Sequence, residues 1–204
     1  MSNHCLDLPW AAQLTTVPSM HSLAHHLLIA MPTLGDARFH HAVIYMCLHD
    51  ADHSMGLVIN HPLADLRLDE FLPAIGVDAG AGHADYMVMS GGPVDTERGF
   101  VLHSDDLYIP DSTVHTGPGL CLTATREALS ALTTDSKPRK AAFFLGYAGW
   151  SAGQLEAEIA ANAWLVTDAR EDLIFPTHHG QAWERALGSL GVHPDKLCGL
   201  TGRA

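Results

Sequence analysis

Apolar and polar positions alternate most clearly in HAVIYMCLHD (41–50), where Ile44, Met46 and Leu48 are interleaved with Val43, Tyr45, Cys47 and His49. Successive side chains of a strand point to opposite faces. The first set is therefore predicted to anchor inward, and the second to carry a thiol, a phenol and an imidazole out on the reverse. A turn through DADHS leads into MGLVIN (55–60), so the two runs read as a hairpin with a five-residue loop. HHLLIAM (25–31), ended by Pro32, is a further short strand.

Later segments mix both periods. LRLDEFLPAIG spaces Leu68, Phe71, Leu72 and Ile75 as on a helix that Pro73 keeps short. DYMVMSGGPV is a strand broken at Gly91-Gly92-Pro93, with RGFVLHS (98–104) as its expected neighbour. LCLT runs into ATREALSAL, a helix with Ala128, Leu129 and Leu132 inward, and KAAFFLGYAGW is a strand entering the best-marked helix. There Ser151 as N-cap and Gln154 three residues on form a capping box, with Leu155, Ile159 and Ala163 as the inner stripe. AWLVT and DLIF look strand-like, and GQAWERALGSLG turns Trp183, Ala186, Leu187 and Leu190 inward before Gly191 stops it. Hairpins early and strand–helix alternation late predict an α+β fold, a mixed and largely antiparallel sheet with helices packed on it. Residues 21–204 are expected to form one domain. Residues 1–20, with two prolines and no period, form an extension expected to be mobile until it docks through Trp10.

Charge narrows the function. Asp and Glu total 23 against 11 Lys and Arg, a net charge of −12, which repels phosphate backbones and anionic membranes. Arg38, Arg67, Arg98 and Arg126 are scattered, and KPRK (137–140) is too short for a nucleic-acid surface. Neither direct nucleic-acid binding nor membrane association is expected. The first 37 residues hold no Lys or Arg, unlike a secretory or transit signal, which points to the cytoplasm. Cys5, Cys47, Cys121 and Cys198 lie far apart without a C-x-x-C, so free thiols are expected there.

Cys47 shares its predicted face with Tyr45 and His49, and an imidazole on that face can stabilise a thiolate for redox sensing or nucleophilic attack. The alternative is that Cys47 packs as a small hydrophobe. GWSAG (149–153) matches G-x-S-x-G between a strand and a helix, and Asp168 or Asp172 followed by His178, His179 or His193 keeps hydrolase order. Only about 50 residues follow Ser151, too few for the remaining strands of an α/β-hydrolase, and the serine already has a capping role. The glycine-rich GYAGWSAG ahead of a helix would equally suit an anion or a tight connection. In SGGPV and RGFVLHS, Gly91 and Gly92 allow close backbone approach, Arg98 can hold a carboxylate and His103 lies near the turn. A sharp corner, with Arg98 paired to Asp95 or Glu97, explains the same residues. The 15 histidines include no H-E-x-x-H, and no metal or cofactor is predicted.

HHLLIAMP, VIYMCLHD, MGLVINHPL, SGGPV, RGFVLHS, LGYAGW…GQLEAEIAANAWL and the terminal GLTGRA together resemble the AlgH/YqgE family of bacterial proteins, in order and spacing, from about residue 23 to 204. The resemblance implies a complex α+β fold and the family's label of transcriptional regulator, with a regulatory role proposed for some members in polysaccharide production. The acidic charge then implies indirect regulation. The expectation is a cytoplasmic binding or regulatory protein rather than an enzyme. Its cleft near Cys47, with Tyr45, His49, Gly91, Gly92, Arg98 and His103, would take a small molecule or protein partner. A thiol-dependent enzyme or redox sensor using Cys47 with His49, or a Ser151 hydrolase, is the alternative.

Overall fold

A computed structural model describes residues 22–77, 86–135 and 137–197. The 1–20 extension with Cys5 and Trp10, and Cys198 with the GLTGRA end, lie outside the described residues. The first three strands, β1 (His26–Ala30), β2 (Val43–His49) and β3 (His53–Val58), pair antiparallel in sequence order. β4 (Pro62–Arg67) leads directly into helix α1 (Leu68–Ala74) and pairs with β5 (Met87–Ser90). β6 (Val94–Ser104), β7 (Thr113–Gly117) and β8 (Leu120–Thr123) precede α2 (Arg126–Ala131), which Thr125 caps through its hydroxyl. β9 (Ala141–Ser151), α3 (Gln154–Ala160), β10 (Trp164–Asp168), α4 (Glu171–Ile174), α5 (Ala182–Ser189) and α6 (Pro194–Leu197) complete the described chain.

The strands run in the order β10-β1-β2-β3-β9-β6-β8-β7, with β5 also on β9, and every pairing but β5–β9 is antiparallel. The α+β expectation therefore holds. β5 and β6 are not paired with each other as the sequence suggested, because β9 lies between them. The sheet curls until β7 meets β2, where the Tyr45 hydroxyl donates to Thr116 at 3.1–3.2 Å.

Three apolar clusters follow. One fills the concave side with Leu27, Val43, Tyr45, Cys47, Phe100, Phe144, Trp183 and Leu187. Another lies between the opposite face of β1–β3 and α3, with Ile44, Met46, Trp150, Leu155 and Trp164. The third joins β5, β6 and β9 to α1 and α2. The glycine pair at 91–92 serves this architecture. A Cβ on Gly91 would stand 2.2 Å from Gly146 O, and one on Gly92 2.2 Å from the Tyr147 carbonyl carbon. The backbone that approaches these glycines is that of β9.

Several local expectations are corrected. Asp172, Leu173 and Ile174 of DLIF lie in α4 and Phe175 caps it, since so short an apolar run fits a buried helical turn as well as a strand. Leu190, expected inside, is exposed at the end of α5. α3 starts at Gln154, with Gly153 in the left-handed region (φ 71°) as its N-cap, and Ser151 ends the strand instead. Half of the expected box survives, for Gln154 Oε1 accepts the Ser151 backbone N–H at 3.2 Å.

Candidate functional site

β2 was expected to show two unlike faces; both are buried. In its pairing with β3, Met46 opposes Gly56 while Leu48 opposes Met55, so Cys47 is the extra residue of a β-bulge. The insertion flips the alternation after it. Leu48 joins Cys47 and Tyr45 in the concave core, and His49 turns to the α3 side, where its Nε2 meets Glu156 Oε1 at 2.9 Å and its Nδ1 accepts the Leu23 N–H at 3.0 Å. Cys47 and His49 thus diverge.

The Cys47 thiol is 3% exposed and, among the described residues, makes a long 3.8 Å contact with Tyr45 O. Burial pushes it far above the ordinary thiol range, as expected where no charge offsets desolvation. Tyr45 is pushed up as well, mainly by burial, and its hydroxyl is held by Thr116 and lies 3.0 Å from His25 Nδ1. The expected polar cleft around Cys47 is sealed core.

The remaining candidates scatter. His103 is fully buried between β6 and β8, with Nδ1 2.9 Å from Ser104 O and Nε2 2.8 Å from the Thr123 hydroxyl. Desolvation holds its pKa below the usual imidazole value. Arg98 lies 3.8 Å from Asp95 and 5.8 Å from the Phe100 ring centroid, a local ion pair and cation–π contact. Asp168 is on the far edge strand beside His26, and Asp172 pairs with Arg170 and Arg185, so neither reaches Ser151 in the predicted hydrolase order. Among the described residues no group of three metal-ligating side chains converges, and no helix is long and apolar enough to cross a membrane.

A different recess opens on the α3 side of the sheet. It encloses about 210 Å³ between the 37–39 turn, the Pro93–Val94 corner, the end of β9 and α3. Its walls are Phe39, Trp150 and Trp164, the two aromatic pairs meeting edge to face with centroids 5.6 and 6.0 Å apart. Glu158 organises it. Its Oε2 accepts the indole N–H of Trp150 at 2.9 Å and of Trp164 at 2.8 Å, while Oε1 accepts the Gln154 amide at 2.9 Å. Gln154 and Glu158 sit four apart on one helical face, so the carboxylate is aimed by its own helix. At the rim Arg38 grips Asp36 as a two-pronged fork at 2.6–3.1 Å, and this pair holds the carboxyl of Asp36 low.

The AlgH-like family model matches residues 27–195. The chain belongs to the AlgH-like family. A UPF0301 protein of Caulobacter vibrioides is 47% identical over 183 residues, covering 89% of this chain and 94% of that one. A UPF0301 protein of Bradyrhizobium diazoefficiens is 46% identical over 185 residues, covering 87% and 86%. The solution structure of AlgH from Pseudomonas aeruginosa superposes with a TM-score of 0.73 at 38% identity, over 93% of this chain and all of that one. A Corynebacterium diphtheriae protein at 17% identity and TM-score 0.65 shares the fold alone, over 89% and 92%.

Two segments that carried the family resemblance, SGGPV and LGYAGW…GQLEAEIAANAWL, meet in this recess through Pro93, Val94, Gly149, Trp150, Gln154, Glu158 and Trp164. The motif LGYAGW…GQLEAEIAANAWL contains Trp150, Glu158 and Trp164, but sequence reasoning gave none of them a binding role. The available signal was the Gln154–Glu158 spacing on a helix flanked by two tryptophans.

Proposed function

We propose that this AlgH-like protein is a cytoplasmic binding protein that acts on gene expression indirectly, by taking a compact small molecule into the recess walled by Phe39, Trp150 and Trp164. One observation carries the reading: the two separate motif segments supply the same cavity, with its carboxylate already oriented by three donors. Aromatic walls beside a few fixed polar groups are a usual form of small-molecule site, and here Asp36, Arg38, Gln154 and Glu158 make the lining about as polar as apolar. Its volume of about 210 Å³ suits a ligand with one ring. The acidic net charge of −12 supports the indirect route. In the same proposal residues 21–204 form one domain, a reading supported by the pairing of β9 with β3, β5 and β6.

The test is an NMR titration of ¹⁵N-labelled full chain with benzoate, nicotinamide and tryptamine, following the indole N–H resonances of Trp150 and Trp164. Saturable shifts of both indoles by at least one probe, absent in Trp164→Phe at the remaining indole, are expected. Unmoved indoles at millimolar concentrations of all three would reject the cleft.

A further inference from the structure

At the same sheet end, His53 and Ser151 are directly paired across β3 and β9. Directly opposed residues of an antiparallel pair share a face, with Cβ atoms about 4.5–5.5 Å apart. Both line a second cavity of about 290 Å³, whose other walls include Leu48, Met55, Val94 and Tyr147. Asp50 Oδ1 lies 3.3 Å from His53 Nδ1, and it is fixed there by accepting the backbone N–H groups of Asp52 and His53 at 2.8 and 2.9 Å. The other ring nitrogen, His53 Nε2, is buried without a hydrogen-bond partner among the described residues. A carboxylate behind an imidazole, an unengaged nitrogen in front of it and a hydroxyl on the opposed residue form an acid–base–nucleophile series.

We propose that Asp50, His53 and Ser151 form an esterase site, with Ser151 as nucleophile, His53 as general base and Asp50 as the positioning residue, for activated esters of short acyl chains. The proposal does not rest on the indole-walled recess. At rest the Ser151 hydroxyl donates to Gln154 Oε1 at 3.1 Å, and rotation about its Cα–Cβ bond turns it to His53. Oγ then bonds to the ester carbonyl carbon while its proton passes to Nε2. The adduct collapses by breaking the carbon–oxygen bond to the alcohol, which leaves with the proton from Nε2. Water attacks the acyl-serine, giving a proton to Nε2, and that proton returns to Oγ as the carboxylic acid departs.

Magnitude sets the substrate class. General-base assistance supplies about 10²–10⁴-fold, enough for esters with good leaving groups and too little for amides. The Leu48, Met55, Val94 and Tyr147 walls favour an apolar acyl group of a few carbons.

The experiment treats wild-type full chain with a fluorophosphonate probe, maps the adduct by mass spectrometry, and measures p-nitrophenyl butyrate hydrolysis for the wild type, Ser151→Ala, His53→Gln and Asp50→Asn. We expect one adduct on Ser151, and hydrolysis lowered at least 100-fold in Ser151→Ala and His53→Gln and about ten-fold in Asp50→Asn. An unmodified Ser151, or hydrolysis unchanged in Ser151→Ala, overturns the proposal. The adduct map needs no variant, so it decides the matter even if a substitution fails to fold.

Discussion

His49 Nε2 meets Glu156 Oε1 at 2.9 Å, tying the end of β2 to α3 across 107 positions. Because Nδ1 of the same ring accepts the Leu23 N–H at 3.0 Å, the ring proton resides on Nε2 and the imidazole is a structural clamp. His49→Ala leaves the Leu23 donor without its acceptor and is expected to cost about 1–3 kcal/mol. Glu156→Gln keeps an acceptor at the surface and should cost less than half as much. Urea denaturation of both variants checks this ordering, and equal losses would contradict it.

Glu158 is expected to matter more for structure than an ordinary half-buried glutamate. Glu158→Ala strands the indole donors of Trp150 and Trp164, which are only 6% and 2% exposed. The expected loss is about 1–3 kcal/mol for each orphaned donor, with a shift in tryptophan emission at native conditions. Glu158→Gln, retaining one oxygen, should lose less. A neutral Glu158→Ala would refute the clamp.

Cys47 should be unreactive. In a Cys5→Ser/Cys198→Ser background, iodoacetamide at pH 6.5 is expected to leave Cys47 unmodified in the native protein and to label it after denaturation, since the thiolate form is suppressed by burial. Cys121, buried and pushed up to about 11 chiefly by desolvation, should behave alike. Rapid native labelling of Cys47 would restore the sensor reading.

Acidification should destabilise the protein well above the carboxylate range. Desolvation holds the pKa values of His25, His41, His61, His103 and His179 below the ordinary 6.5. Between those lowered values and 6.5 the unfolded chain binds more protons than the folded one, so stability rises with pH there. Stability should be full above about pH 7 and decline as the pH falls through 6.5. Urea midpoints from pH 7.5 to 5 measure it, and His103→Gln should flatten part of the slope. Midpoints that stay level or rise on acidification would contradict the assignment.

The element order was largely readable from periodicity, because runs such as HLLIA and AAFFLGYAGW carry enough apolar residues to declare themselves. β7 was not, since only Thr116 of its five residues is buried. β4 was hidden because it begins at Pro62 and runs without a break into α1. The expected thiol site failed for a sharper reason. Alternation assumes regular pairing, and one unpaired residue at Cys47 reverses every position after it. The recess was out of reach in another way: its two walls lie about 60 positions apart, and no local pattern shows that SGGPV meets GQLEAE. The family resemblance had marked both segments without saying that they touch.

β9 has a kinetic consequence. It hydrogen-bonds to β3, β5 and β6, whose residues precede it by roughly 40 to 100 positions, so three long loops must close before this strand is satisfied on both edges. Until residues 141–151 leave the ribosome, each of those three strands offers one open edge to any passing chain. At synthesis rates of about 5–20 residues per second that exposure lasts seconds. The nascent polypeptide is therefore vulnerable to aggregation until this keystone arrives, and a truncation before residue 141 should yield insoluble material rather than a smaller folded fragment.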